Sequence, residues 1–104
     1  MEYPSQKIIS LIEEILPFLT IGNTGLCLYY HEFYKNILEQ LKKPHELDKI
    51  ASDIQRTYAG MATFNDIVIY KDGQIMIDET ENFVRLRRAL YRACEEAVLT
   101  FRKQ

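Results

Sequence analysis

Cys27 stands four residues ahead of His31, one helical turn, and a thiol beside an imidazole is the pairing from which a protein can build a nucleophile. The apolar residues around Cys27 favour the other outcome, a small buried side chain that does no chemistry. His31 and Glu32 also open a His-Glu pair of the kind that zinc proteases complete with a second histidine one turn on. That position is Lys35, and His45 lies beyond Pro44 on a separate element, so the ligand count for a metal is not met. Asn65 and Asp66 follow a flexible bend and precede a strand-like run, a place where an amide and a carboxylate either meet a ligand or satisfy the turn's own amides. No Ser/His/Asp set, pair of catalytic carboxylates or phosphate-cradling glycine loop can be assembled from the remaining residues. No catalytic residue, cofactor-binding residue or metal ligand is therefore assigned.

Two other groupings point to contact rather than catalysis. Arg85, Arg88 and Arg92 recur at helical spacing and make a ridge, with Arg87 offset from it. Such ridges are commonly solvated and balanced by acids four residues away, here Glu81 with Arg85 and Arg92 with Glu96. The sharper reading is a partner-binding patch, because arginine makes bidentate contacts with carboxylates and is enriched at interfaces. Tyr29, Tyr30, Phe33 and Tyr34 span too wide an arc for all to point inward from one helix, so some tyrosine edges must face out.

Helices must position most of these groups. Ser5 can cap a first helix with Ile8, Ile12, Ile15 and Leu19 at helical spacing, and Pro17 is expected to kink or end it. Residues 20–25 read as a loop, with Asn23 or Thr24 as the next cap. A second helix from Leu26 to Lys42 carries Leu26, Tyr30, Phe33, Ile37 and Leu41 on one stripe, widened by Cys27, Tyr34 and Leu38. A third starts near Pro44 and stops at Gly60. Ile67–Tyr70 and Gln74–Ile77 flank Asp72-Gly73 and predict a hairpin with Tyr70 opposite Ile75 or its neighbour. A long last helix, capped at Asp78 with Glu81 three residues on, buries Phe83, Val84, Leu86, Leu90, Tyr91, Cys94, Ala97, Val98 and Phe101.

Composition sets the outer limits. At 104 residues, with 47% hydrophobic and 27% charged, the chain has enough apolar material for one folded core and little room for two. A net charge of -2 offers no general attraction to nucleic acid or to an anionic membrane surface. Two distant cysteines and no apolar run of spanning length predict free thiols and a cytoplasmic location.

The block Tyr58-Ala59-Gly60-Met61-Ala62-Thr63-Phe64-Asn65-Asp66-Ile67 resembles a family of small bacterial proteins of unknown function whose signature runs approximately Tyr-Gly-Gly-Met-Gly-Ser-Phe-Asn-Asp-Leu. Ala59 and Ala62 stand where that pattern has glycine, and Thr63 where it has serine. The resemblance implies bacterial origin and the order of elements given above, and by analogy an accessory or immunity role.

The expectation is a single α+β domain spanning residues 1–104, mostly α, with three N-terminal helices, one hairpin and one long C-terminal helix. Its leading function is non-catalytic binding of another protein through Tyr29, Tyr34, Arg85, Arg88 and Arg92, an immunity protein that neutralises a toxin being the specific form. The alternatives are a small-ligand binder or enzyme using Asn65 and Asp66, and a homodimer whose hairpins pair across a two-fold axis.

Overall fold

The apolar periodicities produce four helices in a computed structural model that describes residues 4–22, 24–43, 46–59 and 63–102. Helix α1 is Pro4–Gly22, α2 Gly25–Leu41, α3 Leu47–Arg56 and α4 Ile77–Arg102; a 3-10 turn at Phe64–Asp66 and two short strands, β1 Tyr70–Lys71 and β2 Gln74–Ile75, connect α3 to α4. The class is α+β and mostly α. Helix α1 packs against both α2 and α4, and α3 packs against α4. Among the described residues no helix is long and apolar enough to cross a membrane.

Helix α1 runs through Pro17 rather than ending there. Proline in a helix interior costs about 3 kcal/mol. Pro17 sits on the exposed side, while Leu19 beyond it is buried with Ile8, Ile12 and Ile15, so the packed face carries the helix past the missing N–H. Thr24 caps α2 as expected, its hydroxyl oxygen accepting the Cys27 amide at 3.1 Å, a bond worth about 1 kcal/mol. The α1–α2 corner is tight: a β-carbon on Gly22 would lie 2.6 Å from Cys27 Sγ. Asn23, the other candidate cap, lies outside the described residues, as do Pro44, His45 and the bend at Gly60, Met61 and Ala62.

The hairpin turns where the Asp-Gly pair puts it. Asp72 and Gly73 both have positive φ, 53° and 78°, which is what a two-residue turn of matching twist requires, and Tyr70 pairs with Ile75. The ladder is shorter than the apolar runs suggest. Ile67 and Ile69 are buried but lie outside the two-residue strands: Met76, just ahead of α4, still donates its amide to the Ile69 carbonyl at 2.8 Å, whereas the Ile69 amide turns to Thr80 Oγ1 of α4 at 3.1 Å. Helix α4 consequently begins at Ile77, with the Thr80 amide bonded to the Met76 carbonyl. Asp78 thus falls inside the first turn instead of capping it, where its charge still favours the helix dipole.

The core collects the inner faces of all four helices around Tyr34, Phe64 and Phe83. On α2 the buried stripe is Cys27, Tyr30, Tyr34, Ile37, Leu38 and Leu41, with Leu26 and Phe33 at its edge. Tyr91, expected on the buried side of α4, is partly exposed; the Phe101 side chain lies outside what is described.

Candidate functional site

Directly after the undescribed bend, the chain makes one 3-10 turn that is fastened from three directions. Asp66 Oδ2 accepts the Thr63 amide at 3.0 Å and the Thr63 hydroxyl at 3.3 Å, closing the turn on itself. The Phe64 amide reaches back to the Thr57 carbonyl at 2.8 Å, tying the turn to the end of α3. From α4, Arg87 Nη1 donates to the Phe64 and Ile67 carbonyls, each at 3.2 Å, and its guanidinium lies 5.3 Å from the centre of the Phe83 ring. Arg87 is only 7% exposed, and burial pulls its pKa below the usual arginine value. Its own carbonyl accepts a hydrogen bond from the Tyr58 hydroxyl.

Among the described residues of the block, every polar side chain but one takes part in these bonds. Tyr58, Thr63 and Asp66 are all spent on the fold. The side chain of Asn65 is exposed and makes no hydrogen bond among the described residues. It lines an open hollow of about 400 Å³ with Gln55, Tyr58, Ala59, Arg88, Tyr91 and Arg92. The Tyr58 and Tyr91 rings meet there edge to face, centroids 5.0 Å apart. Arg88 and Arg92, one turn apart on α4, also wall a second hollow of about 550 Å³ on the other flank of the ridge, with Arg85, Thr80, Glu81, Val84 and Ala89.

The other expected site residues divide. Tyr34 is not a contact residue: it is 0% exposed, its hydroxyl is 2.9 Å from Thr57 Oγ1, and its ring is 4.7 Å from that of Phe64. Tyr29 is 64% exposed but lines a different hollow, between α2 and α3. Arg85, Arg88 and Arg92 are exposed and without ion pairs among the described residues, since Glu96 pairs with Lys7 at 3.6 Å rather than with Arg92. Cys27 and Cys94 are free and buried, and neither Cys27 nor His31 lines the hollow at Asn65. Among the described residues, no three His, Cys, Asp or Glu side chains form a metal site.

Burial leaves a titration signature. The Cys94 thiol is pushed up to about 12, and the Tyr30, Tyr34 and Tyr58 hydroxyls are raised above their ordinary 10.0, desolvation being the largest cause for each. The folded protein therefore holds these protons more tightly than the unfolded chain. Their contribution is complete below the ordinary values of 9.0 for cysteine and 10.0 for tyrosine, and is lost as pH rises toward the folded values. The expected result is a melting temperature that falls steadily above about pH 9 in calorimetry, with Cys94 unreactive toward a thiol reagent at about pH 8 until the chain unfolds. A melting temperature level to about pH 11 would contradict it.

Arg87 escapes the sequence reading although its signal is there. It stands four residues after Phe83 and three before Leu90, on the apolar stripe itself, where a cation must find partners or not fold. No known protein family, curated protein or solved structure matches this chain.

Proposed function

We propose that this chain is a non-catalytic binding domain that grips an acidic partner protein along the arginine ridge of α4. The observation that carries this reading is the set of three exposed guanidinium groups, Arg85, Arg88 and Arg92, which have no ion pair among the described residues while Lys7, Lys49 and Arg56 have theirs. Arginine is weakly hydrated and forks onto carboxylates, so a ridge of three gives a partner both charge and registry. The hollows on its two flanks supply recesses for neighbouring side chains. Toxin neutralisation is the specific form of this role, in which occupying an acidic surface blocks the partner's activity.

Tagged protein, captured with its partners from the producing cell and compared with an Arg85→Ala/Arg88→Ala/Arg92→Ala variant, tests the reading. Truncating an arginine that is an interface hot spot costs about 2 kcal/mol or more. Affinity for the captured partner is expected to fall at least about tenfold, with an unchanged circular dichroism melt. Equal affinity in both forms would remove the ridge as the docking surface.

The hairpin favours a second reading, a homodimer, because Tyr70, Ile75 and the adjoining Ile77 are all exposed apolar side chains. Light scattering at micromolar concentration decides this, a monomer excluding it.

A further inference from the structure

In the block from Tyr58 to Ile67 the described polar side chains are bonded within the fold except the Asn65 amide, and that one lies at a hollow walled by two cations. Two tyrosine rings are among its lining. Tyr58 has committed its hydroxyl to the Arg87 carbonyl and so offers its ring, and Tyr91, 37% exposed, stands against it. The same lining is donor-rich: Arg88 and Arg92 from α4, Asn65 from the 3-10 turn, and Gln55 from α3. None of these four side chains has a hydrogen-bond or ion-pair partner among the described residues.

A lining that joins donors unpaired among the described residues to two aromatic rings suits a ligand with complementary halves. An oxyanion meets the guanidinium and amide N–H groups, and a flat apolar body lies on the rings. A planar carboxylate suits these donors, since guanidinium and amide N–H groups can approach it in its own plane. We propose that the hollow is a binding site for a carboxylate attached to an aromatic body, the group by which the ridge's partner is anchored. This rests on the ridge reading for its biological setting, although its chemistry is independent of it. Arg87 is here a positioning residue: buried between α4 and the turn, it holds the Phe64 and Ile67 carbonyls and thereby fixes Asn65 between them.

Two probes carrying this chemistry are phenylacetate and a Gly-Gly-Gly-Gly-Phe peptide with a free C-terminal carboxylate. In an amide NMR titration the Asn65 and Gln55 side-chain signals should shift saturably, with a dissociation constant of about 1–10 mM for phenylacetate. Binding should weaken at least about tenfold in Arg88→Ala and in Arg92→Ala, and about threefold in Asn65→Ala. Arg85→Ala, on the opposite flank, should leave it unchanged. Phenylacetamide, the uncharged counterpart, should not bind.

A tighter peptide assigns the carboxylate to a partner chain's terminus, as proposed; a tighter phenylacetate leaves the carboxylate site standing but overturns its role as the partner's anchor. Absence of saturation with both probes, an equal response to phenylacetamide, or indifference to Arg88 and Arg92 would overturn it. Should the triple arginine variant lose its partner while the probes give nothing, the carboxylate site falls and the ridge stands. Saturable probe binding by the parent with undiminished partner capture by that variant leaves the carboxylate site standing but removes both the ridge and the site's role as the partner's anchor.

Discussion

Replacing Phe64 with alanine should lower the unfolding free energy by about 3–5 kcal/mol, measured by urea denaturation followed at the helical circular dichroism band. Phe64 is fully buried, and its ring has aromatic neighbours from α2, from the chain just past α3 and from α4: Tyr30 at 5.3 Å, Tyr34 at 4.7 Å, Tyr58 at 5.4 Å and Phe83 at 5.5 Å. Removing it opens a cavity where α2, the end of α3 and α4 meet, and the three-residue turn that carries it cannot collapse inward because Arg87 and Thr57 hold its backbone. A chain of this length has about 5–15 kcal/mol in total, so the variant should stand near its folding threshold. Phe64→Leu, which keeps most of the volume and loses the ring contacts, should cost about half as much. A loss below about 1 kcal/mol for Phe64→Ala would mean that the turn is not seated in the core as described.

The elements legible in the sequence are those whose signals are local and unopposed. Thr24 precedes an apolar-periodic run and caps it; Asp72-Gly73 separates two β-branched runs and turns them into register. Both depend on neighbours within a few residues. Pro17 does not end the helix, one of the two outcomes expected of it, because its local penalty is offset by the buried face of Ile8, Ile12, Ile15 and Leu19 together, a sum no window around residue 17 contains. Asp78 loses its capping role for a similar reason: Thr80 and Met76 join α4 to the Ile69 backbone, and that contact places the helix start ahead of the acidic residue. Tyr34 shows the limit of composition. Its phase on α2 places it beside the stripe, yet tyrosine abundance argues for display, and the hydroxyl that favours a wet interface is satisfied by Thr57 within the core.

The candidate site is half readable on the same grounds. Asn65 and Asp66 stand out together, but only the three-dimensional turn separates them, giving Asp66 to Thr63 and leaving Asn65 with no partner among the described residues. Arg88 and Arg92 are visible as a ridge; that Gln55, Tyr58 and Tyr91 stand beside them depends on α3 packing against α4, a contact over more than a single element's periodicity. Ridge and turn are joined by Arg87, which is buried while its neighbour in sequence, Arg88, is exposed.

Arg87→Ala is accordingly the substitution expected to damage fold and site together, with a loss of about 2–4 kcal/mol. Two opposing effects set that figure. Removing the guanidinium relieves the cost of keeping a charge away from water, a cost already partly unrelieved because Nε has no partner among the described residues. Against this, the variant strips a charge-assisted donor from two buried carbonyls, and the contact with the Phe83 ring goes as well. The carbonyls dominate, because an alanine leaves both them and the vacated volume uncompensated. Arg87→Met fills the volume without supplying donors, and should recover about 1 kcal/mol of the loss. Arg87→Lys supplies charge without the planar fork and should recover stability to a similar degree. The two replacements differ at the hollow: in Arg87→Met the turn is unfastened from α4, so the Asn65 side-chain NMR signals should broaden or shift more than in Arg87→Lys, even after both are compared well below their melting temperatures. If Arg87→Met were as stable as the parent and its Asn65 signals unmoved, the buried guanidinium would be incidental, and the turn would be held by Asp66 and Thr57 alone.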